Sequence, residues 1–222
     1  HVGKLPPAIP VLRDTMGLSL VEAGFLLSLV QFAGMALGLV TGLAADALGL
    51  KRTMVAGLAI TGAASLAGGF AASAAALLVL RAAEGLGFLL ASMPAPGLIR
   101  RLVPPQRMSR MLGLWGAYMP FATALALLVG PGWMAWAGWP GWWWLLGALA
   151  LGMAECVARL LDADPAPATL HFDASRRMRL TLSAGGPWLV ALAFGVYSAQ
   201  WLAVIGFLPS IYRDAGFDPR WT

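Results

Sequence analysis

Long stretches without a single charge, divided by short charged breaks, limit what this chain can be. No acidic or basic residue occurs from Ala23 to Ala45, from Thr53 to Leu80, or from Met111 to Ala154. A helix needs about 20 apolar residues to cross a bilayer, and these runs reach that length. The chain is 59% hydrophobic and only 11% charged, against about 25% charged in a soluble domain. The pattern predicts an all-α polytopic membrane protein. A membrane β-barrel would alternate apolar and polar residues, and these runs do not.

Read in order, the first residues to Leu12 predict the frayed outer end of a truncated helix 1, followed by a polar outer loop from Arg13 to Glu22. Helix 2 then spans about 20–47, helix 3 about 53–71, helix 4 about 74–99 and helix 5 about 111–137. The aromatic run from Trp139 to Trp144 suits a helix meeting headgroups, and helix 6 ends near Leu161. Residues 162–186 hold prolines and arginines and cannot span, so they read as a linker. Helix 7 covers about 187–211, with a loop to Thr222. Three units follow: 1–161, an N-terminal six-helix bundle; 162–186, a cytoplasmic linker; and 187–222, the start of a C-terminal bundle.

The net charge of +5 raises nucleic acid as a partner, but the bases sit in short loops between apolar spans. Lys51, Arg52, Arg100, Arg101, Arg107, Arg110, Arg159, Arg176, Arg177 and Arg179 lie on one side. Lys4, Arg13, Arg213 and Arg220 lie on the other. Such asymmetry marks the first side as cytoplasmic. Lys51 and Arg52 would face the anionic inner leaflet. The single Cys156 excludes an internal disulfide. No His/Cys cluster predicts a metal, no cofactor motif stands out, and no Ser/His/Asp set predicts an enzyme. The chain has no initiator methionine or visible signal peptide and stops in a loop, which predicts a fragment.

Three constellations carry chemistry. Gly34, Gly38 and Gly42 form a smooth stripe on helix 2 for close helix approach, leading to Asp46. A carboxylate there can meet a helix N-terminus, worth up to about 2 kcal/mol when partly buried, or a cytoplasmic arginine. Arg81 and Glu84 lie three residues apart inside helix 4 and can pair on one face. They are either a self-neutralising packing pair or a binding and proton-coupling pair facing a wet cavity; intramembrane ionisable groups are functional candidates by default. On helix 7, Tyr197, Gln200 and Trp201 fall near one side. Gln31 and Tyr118 are further candidates for lining a cavity.

Gly42, Asp46, Gly49, Lys51 and Arg52 fit G-x-x-x-D-x-x-G-x-[KR]-[KR], which resembles the loop 2–3 signature of the major facilitator superfamily. Arg81-Ala82-Ala83-Glu84-Gly85-Leu86-Gly87 is similar to that family's helix-4 motif. Gly130-Pro131-Gly132 matches only the start of its antiporter motif. Leu98–Ala117 and Phe207–Gly216 resemble the cyanate/nitrate-type permeases within the family. The resemblance implies secondary transport of a small solute, an organic or inorganic anion being one candidate, by alternating access with proton coupling. It implies a monomer in the bacterial inner membrane whose partners are lipid and substrate. Asp46 would act as a gate latch, with Arg100 or Arg101 as partner. Two other readings stay open: a non-transporting remnant, and a seven-span receptor. A retinal protein is excluded, because helix 7 has no lysine.

Overall fold

A computed structural model describes residues 1–165 and 174–216, without some of the side chains in them. The described elements are helical: α1 (Leu5–Met16), α2 (Leu20–Leu48), α3 (Leu50–Gly68), α4 (Ala74–Ser92), α5 (Ala95–Leu102), a 3-10 turn (Pro105–Arg107), α6 (Met108–Gly116), α7 (Tyr118–Leu160), α8 (Ala174–Ser183) and α9 (Gly185–Asp214).

The first helix corrects the sequence reading. It does not fray before Leu12 but continues to Met16, where Gly17 takes the left-handed conformation at φ 68° and its N–H bonds Arg13 O. Glycine ends helices this way because it has no Cβ to clash. Leu5, Ala8, Ile9 and Leu12 recur at helical spacing and are buried. The expected outer loop shrinks to a few residues, since α2 already starts at Leu20. Ser19 Oγ accepts from Glu22 N at 3.2 Å, and Ser19 N donates to Glu22 Oε2 at 2.9 Å. This reciprocal cap satisfies two otherwise orphan donors.

Close helix approach is built on α3; of the α2 stripe, Gly34 lies outside the described residues and Gly38 and Gly42 stand clear of any neighbour. A Cβ at Gly38 or Gly42 would meet nothing within 4 Å. At Gly57 it would strike the backbone of Gly87 and Ala91 on α4, and at Gly62 it would meet Gly147 O at 2.9 Å. Glycines therefore let α3 lie backbone to backbone against two neighbours.

The predicted helix 4 divides at Pro94, which lacks the N–H that would continue the ladder. By contrast, α7 runs on through predicted helices 5 and 6. Its 43 residues would reach about 65 Å at 1.5 Å per residue, twice a bilayer core of about 30 Å. Gly138, at φ 70° and ψ 171°, breaks it into limbs 118–137 and 139–160. Trp142 and Trp143, expected among the headgroups, are instead buried with Leu5, Ile9, Leu12, Leu26 and Leu77. The linker contains a helix, α8, that the sequence reading did not foresee.

Much apolar surface points outward, including Phe121, Leu128, Trp136, Leu149 and Leu160. Water would penalise such a patch, whereas hydrocarbon does not. Among the described residues, the stretches Ala74–Leu102, Pro105–Leu160 and Gly185–Asp214 are long and apolar enough to cross a membrane.

Candidate functional site

The middle of α4 carries a buried charge cluster. Arg81 is 2% exposed and Glu84 1%. One helical turn separates them, so the guanidinium reaches Glu84 Oε2 on the same face. Lys4, on the residue preceding α1, brings its ammonium to Glu84 Oε1. The sequence reading counted Lys4 among the outer-side bases; it is 1% exposed and belongs to the interior.

The remaining polar atoms are mostly satisfied. Lys4 Nζ donates to Ser65 Oγ at 2.9 Å and stands 4.4 Å from the ring centroid of Trp143. Ser65 Oγ in turn donates to Trp143 O at 2.9 Å. Arg81 Nε donates to Leu26 O at 3.3 Å, and Trp142 Nε1 donates to Lys4 O at 3.2 Å. Residues before or on α1 and on α2, α3, α4 and the second limb of α7 thus converge. Two cations, Lys4 and Arg81, face one carboxylate, with the His1 ring 3.9 Å from its Oε1. With all three ionised, the cluster holds one excess positive charge in a low-dielectric setting, where each charge relies on its partner. The pair does not open onto a cavity here; it is enclosed.

A second constellation sits at the basic end of the bundle, and it centres on a residue the sequence did not single out. Asp164, just after α7, lies against the first turn of α3. Its Oδ1 accepts from Lys51 N at 3.0 Å, and its Oδ2 accepts from Arg52 N at 2.9 Å. Arg101, at the end of α5, donates to Oδ1 at 3.1 Å. Lys51 Nζ donates to Leu161 O at 2.6 Å. Burial acts to raise the Asp164 pKa. The N–H groups of Arg52 and Lys51, with the Arg101 guanidinium, outweigh it and hold the carboxyl below its usual value of 3.8. An anion at a helix N-terminus is favoured by the orphan N–H groups and by the dipole together.

This geometry gives the loop glycine its reason. Gly49 has φ 99°, and a Cβ there would run into the Asp164 carboxylate. Of the predicted gate residues, Gly49, Lys51, Arg52 and Arg101 come together around Asp164. Arg100, beside Arg101 on the same last turn of α5, is exposed. Gly42 lies one turn before Asp46 on α2. The Asp46 side chain lies outside the described residues, as does that of Gln31. Thus Arg101 pairs with Asp164, a partner visible in the sequence only as an acid beside prolines after a helix end.

The other candidates stay apart from the charge cluster. Tyr197 is 57% exposed on α9, with its ring 6.3 Å from Trp201. Gln200 is exposed on the same helix. Tyr118 opens α7, its ring 5.6 Å from Trp115. At the end away from the basic loops, α1, α7 and α9 enclose a cleft of about 980 Å³ lined by Pro7, Asp14, Pro131, Pro209 and Arg213.

The chain matches the Major Facilitator Superfamily over residues 3–222. The chain belongs to this superfamily. Superfamily membership and the apolar helices make it an integral membrane protein, and they point to a transporter rather than an enzyme. It is also similar to the tetracenomycin C resistance and export protein of Streptomyces glaucescens, with 29% identity over 228 residues, covering 96% of this chain and 40% of that protein. The chain therefore spans well under two-thirds of the length of this superfamily relative.

Proposed function

We propose that the chain forms the first bundle and opening helix of a secondary transporter that moves a small solute by alternating access, with proton coupling at Lys4, Arg81 and Glu84. Residues 1–161 are the first bundle, 162–186 the linker and 187–222 the start of the second. The protein acts as a monomer in a bacterial inner membrane, with the α2–α3 loop and the linker in the cytoplasm, where the excess of bases belongs.

The observation that carries this reading is a fully buried carboxylate held between two cations in the middle of a membrane bundle. Such groups are expensive to insert and mark proton or substrate paths. The chemistry is direct. A proton reaching Glu84 removes its charge and releases both Lys4 and Arg81, so protonation and rearrangement of α1 against α4 are linked. The excess cation supports an anionic solute, organic or inorganic. The name of the Streptomyces relative supports export as the direction. Tyr197 and Gln200 on α9, with Gln31 and Tyr118, are proposed to line the solute path. Asp46 and Arg100, with Gly42, Gly49, Lys51, Arg52 and Arg101, are proposed to form the cytoplasmic gate.

The test uses the complete protein in sealed vesicles containing a pH-sensitive dye. A panel of small carboxylates and inorganic anions is added under an imposed pH gradient. At least one is expected to move protons in wild type, and Glu84→Gln is expected to abolish that flux while leaving solute exchange. Proton flux by Glu84→Gln equal to wild type would exclude coupling at this cluster.

A further inference from the structure

Two groups face the same oxygen of Glu84. The Lys4 ammonium bonds Oε1, and His1 Nδ1 stands 3.9 Å from it. Arg81 takes the other oxygen, Oε2. Oε1 is therefore the contested side of the carboxylate.

The far nitrogen of His1 decides what Nδ1 can do. His1 Nε2 lies 3.1 Å from Leu146 O. A carbonyl oxygen only accepts, so the neutral ring carries its proton on Nε2 and donates there, leaving a lone pair on Nδ1. That Nδ1 is buried without a hydrogen-bond partner. A buried acceptor left unpaired is costly. The ionised carboxylate cannot relieve it, because it has no hydrogen to give. A proton placed between Nδ1 and Oε1 does, once the two atoms close to about 2.8 Å.

His1 is also the most accessible member of the cluster. Its side chain is 14% exposed, against 0% for Lys4, 1% for Arg81 and 2% for Glu84. Imidazole gains and loses a proton near neutral pH, which a guanidinium does not. Lys4 keeps a place when it leaves Oε1, since Ser65 Oγ lies 2.9 Å from its Nζ and the Trp143 ring 4.4 Å away. The charged and titratable groups around the transfer are Lys4 before α1, Arg81 on α4 and the amino group of residue 1. From α2, α3 and α7 come the Leu26 carbonyl, the Ser65 hydroxyl and the Leu146 carbonyl.

We propose that His1 is the proton-transfer partner of Glu84. A proton from water binds Nδ1 and makes the ring an imidazolium. The Nδ1–H bond then breaks as an Oε1–H bond forms, and the ring returns to neutral with its Nε2–H unchanged. Glu84 loses its charge, and Lys4 is displaced from Oε1. This role rests on the proposed coupling at Glu84, but its experiment needs no solute, so the two can fail separately.

The experiment follows the Glu84 carboxyl band by infrared difference spectroscopy on the purified complete protein, the band being assigned by its loss in Glu84→Gln. His1→Phe removes the acceptor and should lower the pH midpoint of the band by about one unit, the worth of one hydrogen bond. His1→Gln keeps one donor and one acceptor, so its midpoint should stay near wild type. After a pH jump, the band should grow more slowly in both variants, on the order of a hundred-fold, because neither side chain carries a proton onward. A purely structural role for His1 would not separate midpoint from rate in His1→Gln. Wild-type rates in His1→Gln would overturn the transfer role, and so would an unmoved midpoint in His1→Phe. A band that never titrates in wild type would remove the coupling reading along with it. If the variants behave as expected while no solute moves protons in wild type, the transfer role stands and the transport reading falls.

Discussion

Glu84 and Asp164 are two carboxylates that do similar chemistry in different media. Each gathers donors from separate helices. Glu84 binds two side-chain cations with its own residue 1% exposed. Asp164, its side chain 6% exposed, binds two backbone N–H groups and Arg101, whose side chain is 43% exposed and leaves that partner open to water. Charges shut away from water depend on one another, and removing one partner of a buried pair costs about 3–5 kcal/mol. Near water the same removal is partly repaid by hydration. The contrast teaches that the interior cluster fixes how α1 meets α4, while the basic-end contact trims the position of a loop.

The largest expected effect tests the first half of that contrast. Glu84→Ala leaves Lys4 and Arg81 without their carboxylate and should destabilise the purified protein by about 3–5 kcal/mol, measured by thermal or denaturant unfolding in detergent. Adding Lys4→Met should recover a good part of the loss, because one stranded cation is gone. Failure to recover would break the idea that charge, rather than packing, binds the cluster.

Gly49→Ala comes next. It places a Cβ at φ 99° and against the Asp164 carboxylate, so a loss of about 1–3 kcal/mol is expected from backbone strain. In an Asp164→Ala background the steric part should vanish and a smaller penalty remain. An unchanged penalty would mean that the carboxylate does not constrain the glycine.

Asp164→Asn should cost about 1–2 kcal/mol, the range for a partly buried charge at a helix N-terminus. Because the folded pKa lies below the ordinary 3.8, this contribution is fully present above that value. It is lost as pH falls through the lower folded pKa. Hydrogen exchange of the Lys51 and Arg52 amides, compared with Asp164→Asn at each pH, should show protection at neutrality that fades in acid. Protection independent of Asp164 would remove it from the loop's account.

The smallest effect is the control. Arg159 and Glu155 pair one turn apart on α7, with side chains 77% and 57% exposed. Arg159→Ala should change stability by no more than about 0.5 kcal/mol. A larger loss would erase the distinction between buried and exposed pairs.

Much of the architecture was legible from residue order. Charge-free runs gave the helices, Gly138 lay near the expected joint between helices 5 and 6, and Arg81 with Glu84 stood out as intramembrane charges. Lys4 was misjudged because it lies near the chain's start, where a lone base resembles a loop signal. Its one clue is local: Leu5, Ile9 and Leu12 continue an apolar helical face immediately after it. Gly38 and Gly42 stand clear of any neighbour for another reason. Small residues permit close approach on any face of any helix, and periodicity does not say which neighbour accepts the offer.

Residue order alone determined that this chain must bury its backbone polar groups in helices, since hydrocarbon offers them no partner, and where those helices break. Tertiary structure decided who pairs with whom. Lys4 and Glu84 lie 80 positions apart, and Lys51 and Asp164 lie 113 apart. No local propensity reaches across such distances. Those pairs exist because helix packing brings the donors and acceptors together, and the superfamily's glycine-and-base loop acquires its carboxylate partner only there.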